Sequence, residues 1–460
     1  MTQNQYTPEE PISSIATALA PAALGIVRVS GKNCIDLVSN VFSRPKALKT
    51  AAGNTLVYGW IQTDKTKGKL EKIDEVMLAV YRAPKSFTGE YMVEIFCHGG
   101  PAVVTAIQNL MLKSGFREAN RGEYTFRAYI NGKTDLTKAE AVKEIIDSHT
   151  DVSRSHAAGR LAGGLFDEID SIKKLIVDTL ASIEVEIEYP EDEETIAETF
   201  DRKDIETAIV RLQELVDSWK GEKLYQDGAR VVLAGRTNAG KSSLFNAILK
   251  EERAIVSDIE GTTRDWLESW ASINGIPVRL FDTAGLRETE DVVEAQGVQL
   301  TKNLTKDADV VLYLIDSKTD ADEEDKDFID NCNEPVIIVW NKADISDAED
   351  NQFEKYDQVK ISAKKGTGLK DLFSKISNIL TAGLPTERQQ AGIGSARQKE
   401  SVAEALECVK HALVSADDNY TLDAVVQDLE DALDALGEVT GDITPDDVLG
   451  SIFANFCVGK

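Results

Sequence analysis

The run "VVLAGRTNAGKSSL" (residues 231–244) places Gly235, Gly240, Lys241 and Ser242 at the spacing of a phosphate-binding loop, between a β-branched stretch and a helical one. Glycines there let backbone N–H groups point at phosphates, the lysine reaches the β and γ phosphates, and the Ser242 hydroxyl is offered to Mg²⁺. The expected contact set is Asn238, Ala239, Gly240, Lys241, Ser242 and Ser243. "DTAG" (Asp282, Thr283, Ala284, Gly285) ends a buried run, where a carboxylate can hold a Mg²⁺ water and the Gly285 N–H can meet the γ-phosphate. "NKAD" (Asn341, Lys342, Ala343, Asp344) ends another. A carboxylate at Asp344 can accept both N–H groups of a guanine edge, whereas adenine presents an acceptor there. "SAK" (Ser362, Ala363, Lys364) would close over the base.

The order of these motifs resembles the GTPase class of P-loop proteins, and Asp344 points to GTP rather than ATP. "DIEGTTRD" (residues 258–265) reads as the switch that folds over the γ-phosphate, with Asp258, Glu260, Gly261 and Thr263 in the site and Thr263 completing the Mg²⁺ shell. The small-GTPase template has a water-orienting glutamine after the DxxG glycine; Leu286 stands there and cannot hydrogen-bond. Glu288, Glu290, Asp291 and Glu294 are the substitutes within reach, in a run that otherwise reads as an exposed acidic segment. Asn238 inside the loop, with switch carbonyls nearby, offers a site for a monovalent cation.

Such groups need a scaffold, and 460 residues are enough for two or three cores. Between Ala229 and about Gly383, the runs "RVVLA", "VRLFD", "VVLYLID", "PVIIVWN" and "VKIS" alternate with helical stretches, predicting a mostly parallel sheet covered on both faces. Asn274-Gly275 between two strand-like runs predicts a tight hairpin, hence one antiparallel edge strand. Ahead of this region, "LGIVRVSG", "NTLVYGWIQ", "EVMLAVYRAP" and "YMVEIFCHGG" with the helical "PAVVTAIQNLMLKSG" predict an α+β domain. From Glu123 to the α/β region and again after Leu384 the period is helical, and Thr444 reads as the N-cap of the final helix. The expected division is 1–122 for the α+β domain, 123–224 and 384–460 for the two parts of a helical domain, and 225–383 for an inserted GTPase domain. This is a multidomain α/β protein.

A net charge of −28 and flanking regions read as acidic argue against wholesale nucleic-acid coating. Five scattered cysteines without a CxxC pair exclude a disulfide framework and a zinc site and suit a reducing cytosol. The start "MTQNQYTPEE" lacks basic residues and makes a poor signal peptide, and no apolar run is long enough to span a membrane, so a cytoplasmic protein without membrane contact is expected. His98 in "CHGG" reads either as a binding-site or acid–base residue or as a hydrogen-bonded strand-end histidine.

Beyond the GTPase set, "GIVRVSG", "SFTGEYMVEIFCHGG", "GEYTFRAYINGKTDLTKAEAV", "IEVEIEYPEDEE", "SDIEGTTRD", "DTAGLRE" and the closing "FCVGK" resemble, in order, the MnmE (TrmE) family of tRNA wobble-uridine modification GTPases. The resemblance implies a homodimer whose GTPase domains meet across the nucleotides, potassium-stimulated hydrolysis, and a heterotetramer with an FAD-dependent MnmG-type partner. It implies modification of C5 of the wobble uridine of certain tRNAs, with a tetrahydrofolate derivative (5-formyl or methylene form) as one-carbon donor. Carried over by residue, Asn238, Ser257, Ile259 and Thr262 would hold K⁺, Glu294 would position water, and Arg28, Glu94, Lys133 and Lys460 would line the folate site. Cys457 is a candidate reactive thiol beside that donor, or a small apolar helix residue. "ALAPAALG" departs from the Gly-Arg-Gly-Gly common in the family at that point, Thr237 from its P-loop proline, and Arg121 from a proline before "GEYT". The alternative is a regulatory GTPase switch in ribosome assembly without one-carbon chemistry, which would carry a basic RNA-binding module.

Overall fold

The computed structural model describes residues 10–63, 71–188, 202–251, 267–282, 304–319, 321–346, 353–384, 392–417 and 422–459. The chain divides into two compact units, Met1–Lys143 with Leu433–Lys460, and Glu144–Ala432.

In the first unit, β1 (Ile12–Ile15), β2 (Ala22–Ser30), β3 (Thr55–Gln62), β4 (Lys72–Tyr81), β5 (Met92–Gly99) and β6 (Arg117–Glu118) form one sheet in the order β3-β4-β5-β2-β1-β6. Alternation along the strands sends Val57, Ile61, Val76, Leu78, Val93, Ile95, Val27 and Val29 to one face. There they pack with Val38, Leu48, Val104, Ile107 and Met111 of helices Cys34–Asn40, Pro45–Thr50 and Pro101–Lys113. The opposite face carries cross-strand rows, one of them Tyr58–Met77–Phe96–Ile26 and the next Leu56–Ala79–Glu94–Arg28. The expected strands and the long helix are present; β1 and β6 are additions, too short to leave a periodic signal.

Helix Glu123–Ile130 is fixed to this sheet by a buried charge network. Arg127, fully buried, pairs with Glu90 at 2.8 Å and Glu123 at 2.9 Å, and Arg117 pairs with Glu123 at 2.8 Å. The final helix spans Asp446–Ala454 with Pro445 at its N-cap and no side-chain cap, so the N-cap expected at Thr444 is corrected by one residue. Proline's fixed φ and missing N–H suit that boundary. Phe453 and Phe456 pack beside Phe126, Leu136 and Ala139.

In the second unit, β7 (Ala229–Gly235), β8 (Leu267–Ile273), β9 (Ile276–Asp282), β10 (Val310–Asp316), β11 (Val336–Asn341) and β12 (Asp357–Lys360) follow the order β12-β11-β10-β7-β9-β8. All neighbours are parallel except β8 and β9. That hairpin turns through Asn274 and Gly275 at φ 51° and 86°, the two positive values a type I′ turn needs. The last strand is shorter than its apolar run: it stops at Lys360, and Ser362 instead bridges to Thr367. Both faces are covered, one by helices Lys241–Glu251 and Leu369–Leu380, the other with Ile329 of helix Glu323–Asp330. Outside the sheet, helix Arg202–Asp227 packs against helices Gly164–Glu188 and Ala396–Asp417. Arg160, 1% exposed, is held there by Glu144 at 2.6 Å and Glu222 at 2.8 Å.

Candidate functional site

The parallel order brings the C-terminal ends of β7, β9, β10 and β11 to one edge, where open α/β sheets bind ligands. Asn238, at φ 64°, and Gly240, at φ 98°, turn the loop after β7 back toward the helix that opens at Lys241. A Cβ on Gly240 would lie 2.1 Å from Asn341 Nδ2, so only glycine lets the loop approach β11 this closely. Asn341, 2% exposed, uses the approach. Its Nδ2 donates to the Ala239 carbonyl at 2.8 Å, and its Oδ1 accepts from the Ala363 N–H at 3.1 Å. One side chain of "NKAD" thereby ties the phosphate loop to "SAK".

Lys342, at φ 66°, makes the second tie: its Nζ donates to the Asn238 carbonyl at 2.9 Å and pairs with Asp316 at 2.6 Å. Asp316 carried no signal in the sequence, since an Asp at a strand end is unremarkable until its partner is known. Lys241 Nζ donates to the carbonyls of Gly235 at 2.7 Å and Arg236 at 2.9 Å, folding its charge over the loop where phosphates would sit. Ser242 and Ser243 are exposed at the first turn of that helix, whose positive end suits anions. Asp282, fully buried, ends β9. At Asp344, hydrogen bonding from Ser362 and Lys365 holds the carboxyl below the ordinary carboxylate range, so at neutral pH it offers acceptors alone. Ala343 N–H donates to the Ile361 carbonyl at 3.0 Å, and Lys364 is exposed at the loop tip. The residues present fit a guanine nucleotide with Mg²⁺: a glycine-lined loop, a lysine over it, a hydroxyl at Ser242 and an ionised Asp344.

Ser257, Asp258, Ile259, Glu260, Gly261, Thr262 and Thr263 of the switch lie outside the described residues, as do Thr283, Ala284, Gly285, Leu286, Glu288, Glu290, Asp291 and Glu294.

A second polar centre lies in the first unit, on the other sheet face, where helix Glu123–Ile130 packs Tyr124 against Ile12 and Met92. Arg28 of β2 and Glu94 of β5 are directly opposed, with Nε and a terminal nitrogen of Arg28 donating to Glu94 Oε1 at 2.9 and 2.7 Å. Arg28 also donates to the Gly459 carbonyl at 3.0 Å. Its guanidinium stands 5.7 Å from the Phe87 ring centre and 5.5 Å from that of Tyr124, and Tyr81 donates to the other Glu94 oxygen at 3.2 Å. Burial and the Glu94 charge push the Tyr81 hydroxyl up, keeping it a donor. Lys133 is exposed, its Cγ 3.4 Å from where a Cβ on Gly89 would stand. Lys460 lies outside the described residues. The Arg28–Glu94 pair, with the Gly459 carbonyl on Arg28 and the exposed Phe87 ring beside it, offers donor and acceptor groups to a ligand that carries both. Phe87, Tyr81, Tyr124 and the Gly459 carbonyl were missed, because they meet only through pairing across the chain.

The closing segment reaches this centre within the chain. Val458 bridges to Arg121, and the Gly122 N–H donates to the Cys457 carbonyl at 3.4 Å. Cys457 is exposed. Farther along that face, His98 Nδ1 lies 2.7 Å from Asp74 Oδ1, and the His98 backbone N–H donates to Asp74 Oδ2 at 2.8 Å. The hydrogen bond to Asp74 raises the His98 pKa. Burial pushes the neighbouring Cys97 thiol up to about 11.

A family model described as the GTP-binding protein TrmE N-terminus matches residues 11–133, and one for the MnmE helical domain matches residues 136–457. The "tRNA modification GTPase MnmE" of Treponema denticola is 49% identical over 99% of this chain and 99% of its own length. That of Carboxydothermus hydrogenoformans is 41% identical over 98% and 100%, and that of Aquifex aeolicus 40% identical over 98% and 100%. The chain belongs to the MnmE family. Both centres fall inside MnmE-family matches: Arg28 and Glu94 in the TrmE N-terminal span, and the nucleotide residues within residues 136–457. No helix among the described residues is long and apolar enough to cross a membrane.

Proposed function

We propose that this chain hydrolyses GTP in the cytoplasm and couples the hydrolysis to modification of C5 of the wobble uridine in certain tRNAs. In this reading it acts as a homodimer, with an FAD-dependent MnmG-type partner and a tetrahydrofolate derivative as one-carbon donor. The observation that carries it is the coexistence in one MnmE-family chain of an Asp344-type guanine site and the Arg28–Glu94 centre, which lies outside the nucleotide-binding residues.

Each residue has a defined task. Lys241 moves from the loop carbonyls to the β and γ phosphates, and the helix beginning at Lys241 directs its N–H groups at them. Ser242 and Thr263 would hold Mg²⁺, which when bound supplies positive charge opposite the phosphates. Asn238, Ser257, Ile259 and Thr262 would hold K⁺, and Glu294 would orient the attacking water in place of Leu286. At the N-terminal centre, Glu94 would accept from the N–H edge of a pterin, and Arg28, Lys133 and Lys460 would offer cations to its anionic tail. Cys457, exposed beside Arg121 and Val458, is the thiol candidate at this opening.

Mass spectrometry of nucleosides from tRNA of a deletion strain tests the reading. Loss of the C5 substituent at the wobble uridine, restored by the wild-type chain, is the expected result. Fully modified tRNA together with defective ribosome assembly would replace it with the switch reading.

A further inference from the structure

Charge is divided unevenly along this chain. Residues 1–133 carry 16 Lys and Arg against 11 Asp and Glu, while the remainder carries 35 against 68. Reading every flanking region as acidic is therefore corrected for the first of them. The excess is also local: residues 37–63 and 76–89 contain no carboxylate, yet hold Arg44, Lys46, Lys49, Arg82 and Lys85.

Folding gathers these cations. β3 and β4 pair antiparallel with Thr55 opposite Val80, so the start of β3 and the end of β4 share one end of the sheet. Arg82 locks that end by donating from Nε to the Ala51 carbonyl at 2.9 Å and from a terminal nitrogen to the Lys49 carbonyl at 2.7 Å. The Lys85 N–H closes a turn onto the Arg82 carbonyl at 2.8 Å, and Arg44 donates to the Tyr58 carbonyl of the edge strand at 3.0 Å. The guanidiniums are thus spent on backbone, and Lys49 shares its charge with Asp36 at 3.0 Å. Lys46 and Lys85 are exposed and make no ion pair among the described residues. Tyr58, 52% exposed, and Phe87, 40% exposed, stand in the same two segments. Phe87 is two residues beyond Lys85 and flanks Arg28 of the N-terminal centre.

We propose that this end of the sheet docks the phosphate backbone of single-stranded RNA, the two lysines holding phosphates and the exposed Phe87 ring receiving a base. The combination of a cationic track and exposed aromatic faces is what unpaired RNA binds. The proposal rests on the tRNA reading for the identity of the RNA. An anionic bilayer would present charge to a far wider area of a chain whose remainder is strongly acidic, whereas a projecting RNA loop touches the basic end alone.

The test is fluorescence anisotropy with a labelled, unmodified anticodon stem–loop RNA, from about 50 to about 200 mM potassium chloride, for the full chain and its Lys46→Ala/Lys85→Ala variant. Losing two single-strand phosphate contacts should lower the slope of log K against log salt by about 1.4 and weaken binding about tenfold near 0.15 M. Lys46→Arg/Lys85→Arg should restore both, which excludes a folding defect. Unchanged affinity and slope in the alanine variant, beside a wild type that binds, overturns this surface and leaves the tRNA reading standing. A wild type that binds no RNA, alone or with its MnmG-type partner, overturns both. Loss of co-sedimentation with phosphatidylserine vesicles, at unchanged RNA affinity, would assign the lysines to a membrane instead and overturn the proposal.

Discussion

Asp344 shows what a residue type at a motif position leaves open and what its surroundings add. The sequence gives a carboxylate after Asn-Lys-Ala; the fold adds Ser362 and Lys365, which keep it ionised. A guanine edge presents two N–H donors to it, and Asn in its place offers one acceptor and a competing donor. Asp344→Asn should therefore weaken GTP binding by about 10- to 100-fold, the scale of one hydrogen bond to a charged group. Competition of GTP and ATP against a fluorescent guanine nucleotide measures it, and wild-type-like discrimination would remove Asp344 from the site. The loop residues were legible in the same way, because Gly240 and Lys241 act through backbone geometry encoded within a few residues. Asp316 was not legible: its meaning comes from Lys342, 2.6 Å away in space but just past the end of a different strand.

At the scale of elements, strands with continuous β-branched runs and helices with a clear apolar period could be read directly, and the Asn274-Gly275 turn fixed the one antiparallel pair in the sheet of the second unit. Short elements could not, because β1 with its two buried serines gains its place only from β2 and β6 on either side. The closing segment is a similar case. Gly459, at φ 95°, threads past β1 so closely that a Cβ would lie 2.8 Å from the Ile15 carbonyl, and this path delivers its own carbonyl to Arg28. A β-branched residue there meets both a forbidden φ and a backbone clash. Gly459→Val should release the segment, deprive Arg28 of its third hydrogen bond and weaken 5-formyltetrahydrofolate binding by about tenfold or more. Calorimetric titration reads the affinity, and hydrogen exchange at Arg121 and Val458 reports the release. Unchanged affinity with a released segment would separate the tail from the site.

For the whole molecule, the open sheet face is the feature that no local pattern announces. Strand alternation accounts for the buried side, but Leu24, Leu56, Tyr58 and Met77 are 62%, 59%, 52% and 45% exposed on the other, and cross-strand pairing joins Tyr58, Met77, Phe96 and Ile26 into one row. Scattered exposed apolar residues are ordinary; a row across four neighbouring strands beside the Arg28–Glu94 pair is a contact surface. The homodimer proposed above would cover it, and a partner's sheet would then close over the opening where Arg28 and Glu94 meet. Met77 is exposed enough that aspartate there costs the isolated chain little, whereas at the centre of an apolar interface it buries an unpaired charge. Met77→Asp should leave the thermal midpoint of the monomer near wild type and weaken self-association by about 30-fold or more, the effect of removing one interface hot spot. Sedimentation equilibrium across protein concentrations measures this directly. An unaltered dimer constant would move the interface off this face, and with it the expectation that two chains share the N-terminal centre.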